Sequence, residues 1–95
     1  VFHFIEALRD AALALGFSEE QARLLAIETV VGAAALAADS TEDVTVLRQR
    51  VTSKGGTTEA ALNSLNADDF KAAILRAVRA AEARGRELGE LLGKD

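Results

Sequence analysis

Residues 24–38 read LLAIETVVGAAALAA, a run that is apolar on every side a helix could turn outward. Only Glu28, Thr29 and Gly32 interrupt it. A helix without a polar face has to be covered all round. A bilayer would cover it, but a membrane span needs ~20 predominantly apolar residues, and this run is shorter and holds Glu28. The reading that remains is a central helix wrapped by others, with helices of a second chain among them. Gly32 and the alanines at 33, 34 and 35 would let another backbone cross closely there.

The rest of the chain also reads as helix. Phe2, Ile5, Leu8, Ala12 and Leu15 recur at helical spacing over residues 1–15, and Gly16 is a C-terminal stop. Ser18-Glu19-Glu20-Gln21 is a capping box that opens the apolar helix, with Phe17 placed as a hydrophobic staple. A polar break at residues 39–43 leads to a short helix over 44–50, with Asp43 as its N-cap. A helix is predicted from Thr57 to about Leu65. The cluster Asn66-Ala67-Asp68-Asp69 reads as a further N-cap with acidic first-turn residues. The last helix is predicted over about 68–92, with Phe70, Ile74, Ala77, Val78, Ala81, Leu88 and Leu92 along one stripe. Gly85 and Gly89 predict a fraying end, and residues 93–95 a tail. No strand-period pattern or internal repeat competes. The expectation is an all-α fold of five or so helices in one domain, interlocking with a second chain.

Composition points the same way. Twenty of the 95 residues are Ala, and the four aromatic residues are all Phe. Ala-rich helices approach closely but bury little area each, so at roughly 25 cal/mol per Å² the core is modest. Burial against a second chain is the natural remedy for so small a domain. A net charge of −4 argues against a nucleic-acid binder. Arg76, Arg79, Arg84 and Arg86 are interspersed with Glu82, Glu87 and Glu90, as on a solvated helix face. With no Cys, neither a disulfide nor a Cys-based metal site is available, which is compatible with the cytoplasm. His3, the single histidine, has no second ligand or nucleophile at a useful spacing and reads as a surface or interface residue; no metal is expected. The start shows no signal-peptide pattern, and an opening at Val1 reads as a piece cut from a longer chain.

One stretch carries candidate chemistry: Val51-Thr52-Ser53-Lys54-Gly55-Gly56-Thr57-Thr58-Glu59-Ala60-Ala61-Leu62. The glycine pair permits a tight turn and close approach of a ligand to the backbone. Thr57 or Thr58 is placed to cap the helix that follows. The first amides of that helix lack intrahelical partners and, with the helix dipole, favour a small carboxylate or phosphate. Ser53, Thr57 and Thr58 add hydroxyls. An ordinary capped turn is the competing reading. A nucleotide P-loop is not, because Lys54 precedes both glycines, whereas that motif needs Lys after the second.

The same stretch resembles the signature of pyrroline-5-carboxylate reductase, whose usual form is close to V-T-S-P-G-G-T-T. The flanks are similar as well: Val1-Phe2-His3-Phe4-Ile5-Glu6-Ala7-Leu8 to the opening of that family's helical C-terminal domain, Leu47-Arg48-Gln49-Arg50 to the short helix before the signature, and Arg84-Gly85-Arg86-Glu87-Leu88-Gly89 to the closing helix. The resemblance implies a helical dimerisation and substrate-loop domain over residues 1–95, with the family's N-terminal dinucleotide-binding domain absent from this chain. It implies NADPH- or NADH-dependent reduction of 1-pyrroline-5-carboxylate to L-proline by the complete enzyme. No cofactor would be bound by this chain alone, which would be a dimer and inactive. The implied substrate-binding residues are Ser53, Gly55, Gly56, Thr57 and Thr58, with Thr58 near the imine nitrogen as the catalytic residue. Lys54 departs from the usual Pro; it removes a rigid element and adds a cation. The implied partners are a second copy and a small-molecule substrate, not a nucleic acid or a membrane, in the cytoplasm. The alternative is a non-catalytic helical oligomerisation module with an anion-binding helix N-terminus. The chain itself contains no G-x-G-x-x-G and no nucleophile–base pair.

Overall fold

Five helices form close to where caps and periodicity place them: α1 (Phe2–Ala14), α2 (Glu19–Asp39), α3 (Val44–Arg50), α4 (Thr57–Ala67) and α5 (Phe70–Gly93). The computed structural model describes residues 1–93, so Lys94 and Asp95 of the predicted tail lie outside the described residues. Among those described there is no strand. By their internal contacts the residues fall into two compact units, Val1–Arg50 and Val51–Asp95.

In the first unit, α1 and α2 pack as a helical hairpin. Its turn is encoded locally. Gly16 has φ +99, and its N–H donates to the Leu13 carbonyl at 3.0 Å. The Phe17 N–H reaches the Ala12 carbonyl at 3.2 Å. Together these make a Schellman stop. Ser18 then starts α2 with both halves of the capping box: its hydroxyl accepts the Gln21 N–H, and the Gln21 side chain accepts the Ser18 N–H, each at 3.2 Å. Ser18→Ala is expected to remove about 1 kcal/mol of stability, read as a shift of the urea midpoint with unchanged slope.

The predicted stripe of α1 holds at its middle. Ile5, Leu8 and Ala12 are half-buried, while Phe2 and Leu15 stay exposed. On α2 only Ala22 and Ala26 are buried. Leu24 is 59% exposed and Leu36 72%. Burying two methyl groups supplies little stabilisation, at about 0.8 kcal/mol per methylene-sized group. The apolar helix is thus covered on one side by α1 and left bare elsewhere. Its caps extend it to 21 residues, long and apolar enough to cross a membrane by length and composition, although the apolar run alone fell short. The unit ends with α3, capped as predicted by Asp43, whose carboxylate accepts the Thr45 N–H at 3.0 Å. Hydrogen bonds from the Thr45 side chain and backbone hold that carboxyl below the usual aspartate range. Arg50 pairs with Glu42 at 2.5 Å across the ends of α3.

In the second unit two expectations are corrected. Helix α4 runs through Asn66 to Ala67, so these two end one helix rather than opening the next, and no acidic residue stands in the first turn of α5. Asp68 is the C-cap, and Asp69 takes φ +53, the left-handed conformation that Asp tolerates better than most residues. The Asp69 carbonyl then accepts the Ala73 N–H at 2.9 Å as α5 begins. Helix α5 also continues through Gly85 and Gly89 and takes in Gly93, the first residue of the predicted tail. Gly85 falls on the apolar stripe between Ala81 and Leu88, so it extends that face at low relief. Every described residue of α5 is exposed, Ile74 and Val78 by more than half. Its polar side carries the expected ion pairs, Arg84 with Glu87 at 2.8 Å and Arg86 with Glu82 at 2.7 Å.

Candidate functional site

The Ser53–Gly56 segment closes on itself. The Gly56 N–H donates to the Ser53 carbonyl at 3.0 Å, and Gly55 sits at φ +76. A hydrogen bond across four residues with positive φ at the third is the pattern of a type II turn. Gly55 supplies the left-handed conformation. Gly56 is needed for space: a Cβ there would overlap the Ser53 hydroxyl oxygen and sit 3.1 Å from the Ser53 carbonyl oxygen.

Lys54 occupies the second position of this turn, where Pro is favoured because its ring pre-sets φ. Among the described residues no hydrogen bond is donated by the Lys54 N–H. Lys54→Pro is therefore expected to raise stability by about 0.4–1 kcal/mol, chiefly by restricting the unfolded chain. Urea unfolding measures this, and a loss of stability would show that the turn is not of this type.

The cap of α4 differs from the expected one. Gly56, extended at φ −86 and ψ 179, is the N-cap, and no side chain caps it. Thr57 and Thr58 are instead the first two helical residues, and with helical backbones their hydroxyls are not placed to accept the exposed amides. A residue the sequence reading left without a role acts in their stead. Glu59, the third residue of α4, reaches back so that its Oε1 accepts the Gly55 N–H at 3.1 Å. The legible signal was an acidic residue three positions after the cap, the spacing of a capping box, displaced here by one residue at the receiving amide.

The arrangement decides which donors are already engaged. Gly55 N–H is held by Glu59 and Gly56 N–H by Ser53. The first intrahelical bond of α4 runs from the Ala60 N–H to the Gly56 carbonyl at 3.2 Å. The amides of Thr57, Thr58 and Glu59 precede it and lack intrahelical partners. Their positive end of the helix dipole suits an anion. Ser53 is exposed at the turn, and Thr58 is half-buried. The structure thus brings Ser53, Thr57 and Thr58 together on six consecutive residues, and it commits the amides of Gly55 and Gly56 to the turn. His3, on α1 of the first unit, is fully exposed, with its Nδ1 3.2 Å from Glu6.

Comparison with known proteins bears on the whole chain. The family described as pyrroline-5-carboxylate reductase dimerisation matches residues 1–88. A pyrroline-5-carboxylate reductase of Pseudomonas aeruginosa is 44% identical over 93 residues, which cover 98% of this chain and 34% of that protein. One from Arabidopsis thaliana is 42% identical over 90 residues, covering 95% and 33%. Among solved structures, a Plasmodium falciparum pyrroline carboxylate reductase with NADP bound superposes with a TM-score of 0.89 at 33% identity, covering 93% of this chain and 34% of that one. A pyrroline-5-carboxylate reductase from Coxiella burnetii gives 0.87 at 44%, covering 92% and 32%. The chain spans about a third of the length of the curated relatives it matches.

Proposed function

The chain belongs to the pyrroline-5-carboxylate reductase dimerisation family, and from that premise we propose that it is the helical dimerisation and substrate-loop part of an enzyme that reduces 1-pyrroline-5-carboxylate to L-proline. The observation that carries the reading is the Ser53–Gly56 turn feeding straight into α4, with the amides of Thr57 and Thr58 ahead of the first intrahelical bond and Ser53 exposed in the turn before them.

In this reading the substrate carboxylate is held by the Thr57 and Thr58 N–H groups and the Ser53 hydroxyl. Gly55 and Gly56 serve by shaping the turn. The Thr58 hydroxyl stands near the imine nitrogen. Hydride addition at the neighbouring carbon leaves that nitrogen in need of a hydrogen-bond donor and a proton. A Thr hydroxyl is far too weak an acid to be the proton source, so its part is orientation and relay from water. Most of the acceleration then comes from positioning the imine.

The nicotinamide cofactor belongs to another part of the complete protein. A dinucleotide site of the usual kind needs a strand–turn–helix unit whose Gly-rich turn meets the pyrophosphate. The described residues contain no strand, and the turn before α4 follows a seven-residue helix. The residues of this chain do not fit that group by themselves.

Self-association is the second half of the proposal. The uncovered sides of α2 and the apolar stripe of α5 are the surfaces that a second copy would cover, in a cytoplasmic homodimer. A bilayer would cover α2 as well, but it would leave the α5 stripe and the charged Glu28 unexplained.

The test is oxidation of NADPH and of NADH by the complete protein with 1-pyrroline-5-carboxylate present. Turnover with either is the expected result. Well-folded protein that turns over with neither would leave the non-catalytic oligomerisation module as the better account.

A further inference from the structure

We propose that Glu59 is a positioning residue of the substrate loop: by accepting the Gly55 N–H it sets the turn that aligns the Ser53 hydroxyl with the free amides of Thr57 and Thr58. The inference rests on the substrate-loop reading given above and adds to it a residue that touches neither substrate nor cofactor.

The geometry is specific. Gly55 is the residue at φ +76, and glycine populates both signs of φ about equally. The turn's own hydrogen bond, Gly56 N–H to Ser53 carbonyl, closes the loop but leaves the Gly55 peptide free to flip. The Glu59 carboxylate, 3.1 Å from the Gly55 nitrogen, favours the orientation in which that N–H points back toward α4. Flipping the peptide would turn the Lys54 carbonyl toward the Glu59 carboxylate, one acceptor facing another. Glu59 is half-buried and on the third residue of α4, and its negative charge is itself stabilised at a helix N-terminus. A loop with an adjacent glycine pair thus gains a single state without a side chain entering the ligand's path. The rigidity that Pro would give at position 54 is supplied here partly from position 59.

The positioning role requires the acceptor oxygen, not the charge, and this separates it from a general effect on stability. The experiment measures KM and kcat for 1-pyrroline-5-carboxylate with the complete protein, its Glu59→Ala and Glu59→Gln variants, and KM for the nicotinamide cofactor in each. Glu59→Ala is expected to raise the substrate KM about fivefold or more, with kcat and the cofactor KM within twofold of the parent. Glu59→Gln keeps an acceptor oxygen at the same reach and is expected to return the substrate KM to within twofold. Hydrogen exchange at the Gly55 amide, followed by NMR, should speed up in Glu59→Ala and not in Glu59→Gln. An unchanged KM in folded Glu59→Ala would overturn the inference and leave the substrate-loop reading intact. A lowered KM in both variants would also overturn it, because Glu59 would then act as an anion competing with the substrate. No turnover by the parent protein would overturn both readings together.

Discussion

Val78→Asp, at the middle of α5, is expected to convert the proposed homodimer to a monomer at micromolar concentration. Val78 lies on the apolar stripe with Ile74 and Ala81, and the chain's own residues leave it 59% exposed. Val78 is more exposed than covered within the chain, so most of the cost falls on whatever covers the stripe. An unpaired carboxylate enclosed by apolar side chains costs several kcal/mol. In a twofold dimer each substitution counts twice. A total of about 4 kcal/mol or more would weaken association roughly a thousandfold, at 1.4 kcal/mol for each factor of ten. Sedimentation equilibrium measures this directly. Arg86→Ala is the control: its pair with Glu82 is solvent-exposed, and removing such a pair changes little. A Val78→Asp protein that stays dimeric would place the interface elsewhere, on the bare sides of α2.

Thr58→Ala is expected to lower kcat for imine reduction by about 10²-fold, the low end of what a positioned proton-handling group supplies, with the dimer retained. The structure sharpens this test. Thr58 is the second helical residue of α4 and not its cap, which is Gly56. No capping bond is lost with its hydroxyl, and Ala is the better helix former, so unfolding should be unchanged or slightly harder. A loss of turnover without a loss of stability would then report the hydroxyl's chemistry alone. Thr58→Ser, which keeps the hydroxyl, should recover most of the rate. Full activity in Thr58→Ala would remove the hydroxyl from the mechanism and leave positioning through the backbone amides as the loop's contribution.

Much of this architecture is legible without coordinates because it is written in contacts between near neighbours. The Schellman stop at Gly16 and the capping box at Ser18 each close within five residues, so the residues themselves announce them. The same holds for Asp43 before α3. The misreadings have a common cause: runs of residues in which more than one member can stand at a helix boundary. Asn66 to Asp69 look like one N-cap cluster in sequence, yet Asn66 and Ala67 belong to α4, Asp68 is its C-cap, and only Asp69, whose carbonyl accepts the first bond of α5, stands before the next helix. Thr57 and Thr58 look like caps, yet the glycine before them takes that position. In both places several residues could satisfy the same amides, and composition does not say which one does.

By itself, the sequence determined the helical character of the chain, its five helix starts to within a residue or two, and the need of residues 24–38 for cover from outside their own helix. Helical period and caps are properties of consecutive residues, and a helix with no polar face advertises its burial. The tertiary structure decided how little of that cover the chain provides. Helix α1 meets α2 along a narrow seam that buries only Ala22 and Ala26, because two helices joined by a short turn share one line of contact and each leaves the rest of its circumference free. The fold around the loop decided which amides are engaged within the chain and which precede the helical ladder. The assignment turns on the peptide orientation at Gly55 and on the reach of the Glu59 side chain, and both are settled by positions in space rather than by order along the chain.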